Sequence, residues 1–400
     1  MIPKPIDDVC HADILELVEN KVPEGPRLEY KECLPSQGAD DKREFLYDIS
    51  SFANAGGGDL IYGVQEERDA AGKPTGIPAA IQPMDLPNSS AELLRLENMI
   101  RDSIAPRILG IVPKVIEAPP GAVLILRIPK SWHSPHMVTF AGASKFYSRG
   151  SGGKFPMDVG QLRVAFNATS SLPDRIRDLR LERLGRIVAG ETPVEIGNGP
   201  KLTMHLLPLS ALESSAGIEE QLSADAMPLN LPPLYGSGWS HRYNFDGIVT
   251  FTMNEQNLAG GYVQLFRSGL LEAVDCQLLD TEGNPKEWKD AIPSTLFEER
   301  LLRAAHRLIA FLNQAGISCP IFVLVTLVGV KGLHMAMRTV YRSTSLNIDR
   351  DTLLVPEVTI ERFASDLCPQ LRPICDAIWR SAGINKSPNF DDKGQWHAPR

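Results

Sequence analysis

The chain has no apolar run of the ~18 residues a membrane-crossing helix needs, and Met1-Ile2-Pro3-Lys4-Pro5 opens it without the apolar core of a secretory signal. A cytoplasmic location is therefore expected. Cysteine is sparse: six residues (Cys10, Cys33, Cys276, Cys319, Cys368, Cys375) show no C-x-x-C spacing, so reduced, mostly buried thiols are expected rather than a disulfide scaffold or a zinc site. No G-x-x-x-x-G-K-[ST], G-x-S-x-G or H-E-x-x-H run occurs, and no internal repeat. Positive charge is in deficit. The net charge is −8, and residues 1–168 carry 18 basic against 22 acidic side chains. A protein that coats long nucleic acid is disfavoured by that balance, whereas a nuclease whose acids are neutralised by a metal is not.

What is present is a soluble-type composition, 43% apolar and 22% charged over 400 residues, enough for two domains. Residues 6–20 predict a short amphipathic helix, and Pro23-Glu24-Gly25-Pro26 a turn before a strand over Leu28–Glu32. After a loop at Pro35–Asp41, the spacing of Phe45, Leu46, Ile49, Phe52 and Ala53 predicts a helix, with Asp40 or Asp41 as N-cap and Gly56 beyond its end. Leu60–Val64 reads as a strand leaving a glycine turn, and Gln65–Gly76 as a hairpin-like or longer loop. A helix over Ala91–Ile104, strands near Val112–Ile116, Val123–Ile128 and Lys145–Arg149, and a helix near Met157–Phe166 follow. Composition shifts at Thr169–Pro173, which is expected to start a separate arginine-rich helix, Asp174–Val188. Its Arg175, Arg177, Arg180, Arg183 and Arg186 are interleaved with Asp178 and Glu182, and a solvated, salt-bridged face is favoured over phosphate contact. Strands at Leu202–Leu207, Gly247–Met253, Tyr262–Phe266 and Ile321–Val328 and a helix at Ser294–Gln314 predict a second domain of α/β or α+β type.

The chemistry concentrates near the N-terminus. Glu29 and Lys31, two apart on one strand, share a face, and a turn at Gly25-Pro26 can swing Glu24 back beside Glu29. Glu66 or Glu67 would add a third carboxylate from the neighbouring strand. Clustered carboxylates repel one another unless a cation sits among them, so the set suits Mg²⁺ or Mn²⁺, with Lys31 stabilising charge on a reacting phosphate.

The run Leu28-Glu29-Tyr30-Lys31, then Ile49-Ser50-Ser51-Phe52-Ala53-Asn54-Ala55-Gly56-Gly57-Gly58 and Leu60-Ile61-Tyr62-Gly63-Val64, resembles the Schlafen family and the related bacterial Alba-like DNA-binding domain. Lys145-Phe146-Tyr147-Ser148-Arg149-Gly150-Ser151 resembles the closing segment of that family, and the likeness covers about residues 10–168. Schlafen proteins are metal-dependent endoribonucleases acting on transfer RNA. The resemblance therefore implies Glu24, Glu29 and Glu66 as catalytic residues and metal ligands, with Lys31 as the accompanying base. One departure stands out: Gly63-Val64-Gln65-Glu66 replaces a run that in the family commonly holds two aspartates, so Glu67 stays open as the third acid. The zinc site and helicase-like extension of animal Schlafens are not recognisable. Members lacking the acidic trio are described as transcription regulators, which makes a non-catalytic DNA- or RNA-binding regulator the alternative. Animal Schlafens pair two copies of the fold, so a homodimer could supply the second wall of a groove here. By analogy, an enzyme of this kind suggests stress or antiphage defence.

Other candidates are Asn54 with Gly56-Gly57-Gly58, a phosphate cradle or, preferably, a helix stop and tight turn. His136, in Trp132-His133-Ser134-Pro135-His136, is a candidate for stacking a base or donating a proton. Tyr147 and Arg149, on one strand face, are candidates for holding a base and its phosphate, alongside Lys31. Cys368 and Cys375 fall on one helix face and are expected to pack. The expected architecture is α+β: an N-terminal Schlafen-like mixed-sheet domain with flanking helices (1–168), a linker helix (169–190), a C-terminal α/β domain of unknown role (191–385) and a flexible tail (386–400).

Overall fold

The computed structural model describes residues 1–212, 231–235, 238–253, 258–281, 289–336 and 346–397. The chain divides into two compact units, Met1–Asp174 and Arg175–Arg400. It is α+β, with a mixed-sheet N-terminal unit and a sheet-rich C-terminal one.

In the first unit the elements run α1 (His11–Glu19), β1 (Leu28–Lys31), α2 (Ala39–Asn54), β2 (Gly58–Tyr62), β3 (Val64–Arg68), β4 (Pro74–Ile81) and α3 (Ser89–Ser103). There follow β5 (Ile104–Ala105), β6 (Val112–Ala118), β7 (Gly121–Ile128), β8 (Met137–Phe140), β9 (Ala143–Gly150), β10 (Gly153–Pro156) and α4 (Val159–Val188). One sheet is ordered β1-β2-β7-β6, with β1 parallel to β2 and the other pairs antiparallel; a second is ordered β10-β9-β8-β5. The fully buried β2 shows the period-2 rule directly: Leu60 and Tyr62 pack with Phe45, Ile49 and Phe52 of α2, and Ile61 packs on the other face with Ile14 of α1. In β1, Leu28 and Tyr30 share the face of Ile61. Glu29 and Lys31, in register with Leu60 and Tyr62, are thereby turned toward α2.

The glycine triplet is structural. Gly57 takes a left-handed φ of 68°, and a Cβ at Gly58 would lie 2.4 Å from the Phe52 ring and 2.6 Å from the Arg27 carbonyl oxygen. The N-cap of α2 is Gly38, not Asp40 or Asp41, which lie in the first turn and favour the helix dipole from there. The strand expected over Leu60–Val64 breaks at Gly63, where φ is 93°; Val64 begins β3, which pairs with β4 as a hairpin.

The two helices expected around Thr169–Pro173 are one helix. Pro173 lies inside α4, and the Ser170 and Ser171 hydroxyls, instead of opening a new helix, donate back to the Asn167 and Ala168 carbonyls.

The second unit runs β11 (Lys201–Pro208), β12 (Ser240–Asn244), β13 (Gly247–Met253), β14 (Ala259–Phe266), β15 (Leu271–Asp275), β16 (Ala291–Ile292) and α5 (Ser294–Gln314). It closes with β17 (Ile321–Val328), β18 (His334–Met335), β19 (Thr352–Leu354), β20 (Val358–Ile360) and α6 (Cys368–Ser381). Its large sheet, β12-β13-β14-β15-β11-β17-β19 with β20 also on β17, pairs antiparallel throughout, the α+β form of the two types the sequence allowed. Helices α5 and α6 cover one face, and Cys375 is buried there with Cys368 packed against the same core.

Two expectations for this unit are corrected. Arg180 is not on a solvated face: it falls in the buried stripe Ile176, Leu184, Ile187 and donates to Thr326 Oγ1 (3.0 Å) and to the Val325 and Val355 carbonyls. Arg183 grips Glu272 through two hydrogen bonds, while Arg175, Arg177 and Arg186 are exposed, Arg186 paired with Glu182. The segment from Lys386 is not loose. Asn389 Nδ2 and Trp396 Nε1 donate to Glu298 Oε2, while Trp379 Nε1 donates to Oε1, so a buried carboxylate fastens the segment; residues 398–400 lie outside the described residues.

Candidate functional site

The face of β1 turned to α2 carries a chain of charges. Glu29 is held from two sides, by Lys31 Nζ at 2.7 Å on Oε1 and by the Arg149 guanidinium on Oε2. Burial pushes the Glu29 carboxyl up, but the two cations outweigh it and hold the group below its usual range. Lys31 also faces Asp48 Oδ2 at 3.8 Å, and Asp48 Oδ1 accepts from Lys154 Nζ at 2.6 Å. Burial would lower the Lys31 pKa; Asp48 and Glu29 raise it instead. The Arg149 guanidinium lies 3.8 Å over the Phe52 ring centre.

Glu24 arrives by the turn. Gly25 and Leu28 bridge each other's backbone, which folds Glu24 back so that Oε1 accepts from the Tyr30 N–H at 2.7 Å. Glu66 comes in from β3 and accepts the Gly76 N–H at 2.9 Å, while the Gly76 carbonyl takes the Glu24 N–H at 2.7 Å. A Cβ at Gly76, where φ is 74°, would stand 3.5 Å from Glu24 Oε2. Gly76 is thus the point at which Glu24 and Glu66 meet. Burial, then Glu29, then Glu66 raise the Glu24 pKa to about 7 against the pull of the Tyr30 N–H and Lys31. Glu67, on the opposite side of the strand, pairs with Lys21 at 2.7 Å.

The three carboxyls neighbour one another without converging on one point. Among the described residues, no group of three or more His, Cys, Asp or Glu side chains is set to hold a metal ion. The donor chemistry nevertheless fits Mg²⁺ or Mn²⁺: every donor is a carboxylate oxygen, and Glu24 is raised to about 7 by burial first and by its neighbours Glu29 and Glu66 after it. Glu29 can join such a set through the lone pairs that Lys31 and Arg149 leave open on its two oxygens.

Residues 24–158 match the family described as Schlafen, AlbA_2. The matched residues span the whole charge chain from Glu24 to Lys154. No curated protein matches the chain. Among solved structures, the N-terminal domain of a RecG-related protein from Nitrosomonas europaea is 19% identical, with a TM-score of 0.26, over 36% of this chain and 92% of that one. The DIP2311 protein from Corynebacterium diphtheriae is 16% identical, with a TM-score of 0.23, over 36% of this chain and 26% of that one.

Of the nucleic-acid candidates, His136 is withdrawn into the interior of the first unit. It is fully buried, bonds the Pro106 carbonyl through Nδ1 at 2.7 Å, and burial lowers its pKa to about 4, so it cannot stack a splayed base. Asn54 cradles no phosphate: its amide accepts from the His136 N–H and donates to the His136 and Tyr147 carbonyls. Half-buried Tyr147 stacks one ring face on Tyr47 at 4.0 Å, and Arg149 is buried against Glu29. Lys31 is the most open cation of those bonded to Glu29.

Sequence reasoning missed Asp48, Lys154 and Gly76. Asp48 carried a signal, since it lies on the Phe45–Phe52 face of α2, where a charge must find a partner. Gly76 carried another, as a lone glycine at a strand where backbone and side chain approach closely.

Proposed function

We propose that the Schlafen AlbA_2 unit is a metal-dependent endoribonuclease that cleaves structured RNA, transfer RNA first. Glu24, Glu29 and Glu66 would hold Mg²⁺ or Mn²⁺. The observation that carries the proposal is the lodging of Glu24 between Glu29 and Glu66, beside a protonated Lys31. A divalent ion bound there supplies Lewis-acid polarisation of the scissile phosphate. Glu24, whose pKa is raised to about 7 by burial and then by the neighbouring acids, gives up its proton when the cation binds. Lys31 donates to the phosphate oxygens on which charge grows. It is 29% exposed against 1% for Arg149, so of the two cations on Glu29 it is the one able to turn toward substrate while Arg149 keeps the carboxylate in place. Such cleavage suits stress or antiphage defence, and a second copy of the chain would widen the RNA-binding surface.

Incubating the purified protein with a transfer RNA pool in Mn²⁺ or EDTA, beside a Glu24→Ala/Glu29→Ala variant, tests this reading. Cleavage is expected with Mn²⁺ and wild type alone; intact RNA in every lane removes the enzyme. The pairing of Glu29 with two cations favours a second reading, a nucleic-acid-binding regulator without catalysis. Its binding would survive Glu29→Ala and fall steeply with salt.

A further inference from the structure

In the second unit the hairpin β12–β13 ends in a phenyl ring that its turn does not require. Asn244 Oδ1 accepts the N–H groups of Asp246 (3.1 Å) and Gly247 (2.9 Å), and a Cβ at Gly247 would lie 2.1 Å from the Leu265 carbonyl oxygen. Asn and Gly therefore make the turn, and Phe245 between them is 86% exposed. Tyr243, 56% exposed, and His241, also exposed, precede it at alternate positions and share one strand face. Among the described residues, β12 is the last strand of its sheet.

We propose that this hairpin is a stacking platform for single-stranded RNA, with Tyr243 and Phe245 holding unpaired bases and Arg267 the backbone; the choice of RNA rests on the function proposed above. His241 and Tyr243, alternate residues of β12, stand roughly 7 Å apart, about twice the 3.4 Å rise of stacked nucleotides, which leaves room for one base between them, and Phe245 stands beyond them in the turn. The Arg267 guanidinium lies 5.4 Å from the Phe245 ring centre, the pairing of cation and ring that single-strand binders use. On the other strand face Arg242 lies 5.9 Å over Phe251 and is tied to the Pro193 carbonyl, which fixes a second cation at the same edge. Asp246 is the one opposing charge in the turn. Rings with guanidinium groups, rather than aliphatic side chains, favour a nucleobase over an apolar protein surface.

The test is fluorescence anisotropy of a labelled 12-nucleotide oligouridylate with the full chain in EDTA, where no metal chemistry operates. Phe245→Leu keeps the apolar volume but removes the ring, and is expected to weaken binding on the order of tenfold, whereas Phe245→Trp retains it. Arg267→Gln is expected to weaken binding and reduce the salt slope by about 1. Absence of wild-type binding, or Phe245→Leu binding equal to wild type, overturns the platform. So does a dimer that Phe245→Leu dissolves while oligouridylate binding is unchanged, since that assigns the hairpin to a second copy. Failure of the nuclease appears separately, as intact transfer RNA in Mn²⁺ with oligouridylate binding preserved.

Discussion

Glu24 is the residue at which the site's electrostatics can be read in solution. Its folded pKa of about 7 lies above the ordinary value of 4.5, so the folded state holds the proton more tightly than the unfolded chain. The stabilisation it contributes is complete below the ordinary value and is lost as pH rises through about 7. Urea unfolding between pH 4.5 and 7.5 should show that loss in wild type and not in Glu24→Gln. Arg149 makes the complementary case. Its side chain is buried over Phe52 and bonded to Glu29, so Arg149→Met leaves Glu29 with Lys31 alone. A loss of about 3 kcal/mol in the same measurement is expected. At this scale the sequence disclosed what is local. Glu29 and Lys31 are two apart on a strand, and Glu24 follows from a turn next to it. Arg149 bonds across 120 residues and Lys154 meets Asp48 across 106, and no spacing rule joins such pairs.

Elements were legible where a single period runs uninterrupted. Helix α5 and strands β13 and β17 have the bounds their patterns imply, because the 3.6 repeat of the helix and the apolar, β-branched runs of the strands continue to a clear stop. Helix α4 was misread because Pro173 is a strong local signal that the rest of the helix overrides. The strand after the glycine triplet was misread by one break, since Gly63 resembles any strand residue until its φ is known. The triplet itself is the joint between α2 and β2, which sets β1, and hence Glu29, under α2. Gly58→Ala should press a methyl group on the Phe52 ring and the Arg27 carbonyl, costing about 1–3 kcal/mol in thermal or urea unfolding.

For the whole molecule, the two units use buried carboxylates differently. In the first, charges form a chain from Arg149 through Glu29, Lys31 and Asp48 to Lys154, with Lys31 partly exposed at its middle. In the second they are fasteners: Glu272 accepts from Arg183, His205 and Tyr262, and although burial opposes ionisation, Arg183 and His205 hold its pKa at about 2. Its contribution is present above the ordinary value of 4.5 and fades as pH falls toward about 2. Glu298 likewise binds the C-terminal segment, and Asn389→Ala should lower stability by about 1–3 kcal/mol in urea unfolding by leaving that carboxylate short of a donor. Composition described that segment as a tail because its Pro, Gly and charge content is that of a loop. Asn389 and Trp396 reach that glutamate across 91 and 98 residues, and Ser387 and Gln395 are tied besides to Asp376 and Asp366.

Calorimetric titration of the full chain with Mn²⁺ at pH 7.5 bears most directly on the central claim. The account predicts a site that both Glu24→Ala and Glu66→Ala abolish, with more protons released on binding when the titration is repeated at pH 6.5. Binding that both variants leave intact, or no binding by wild type, would contradict it.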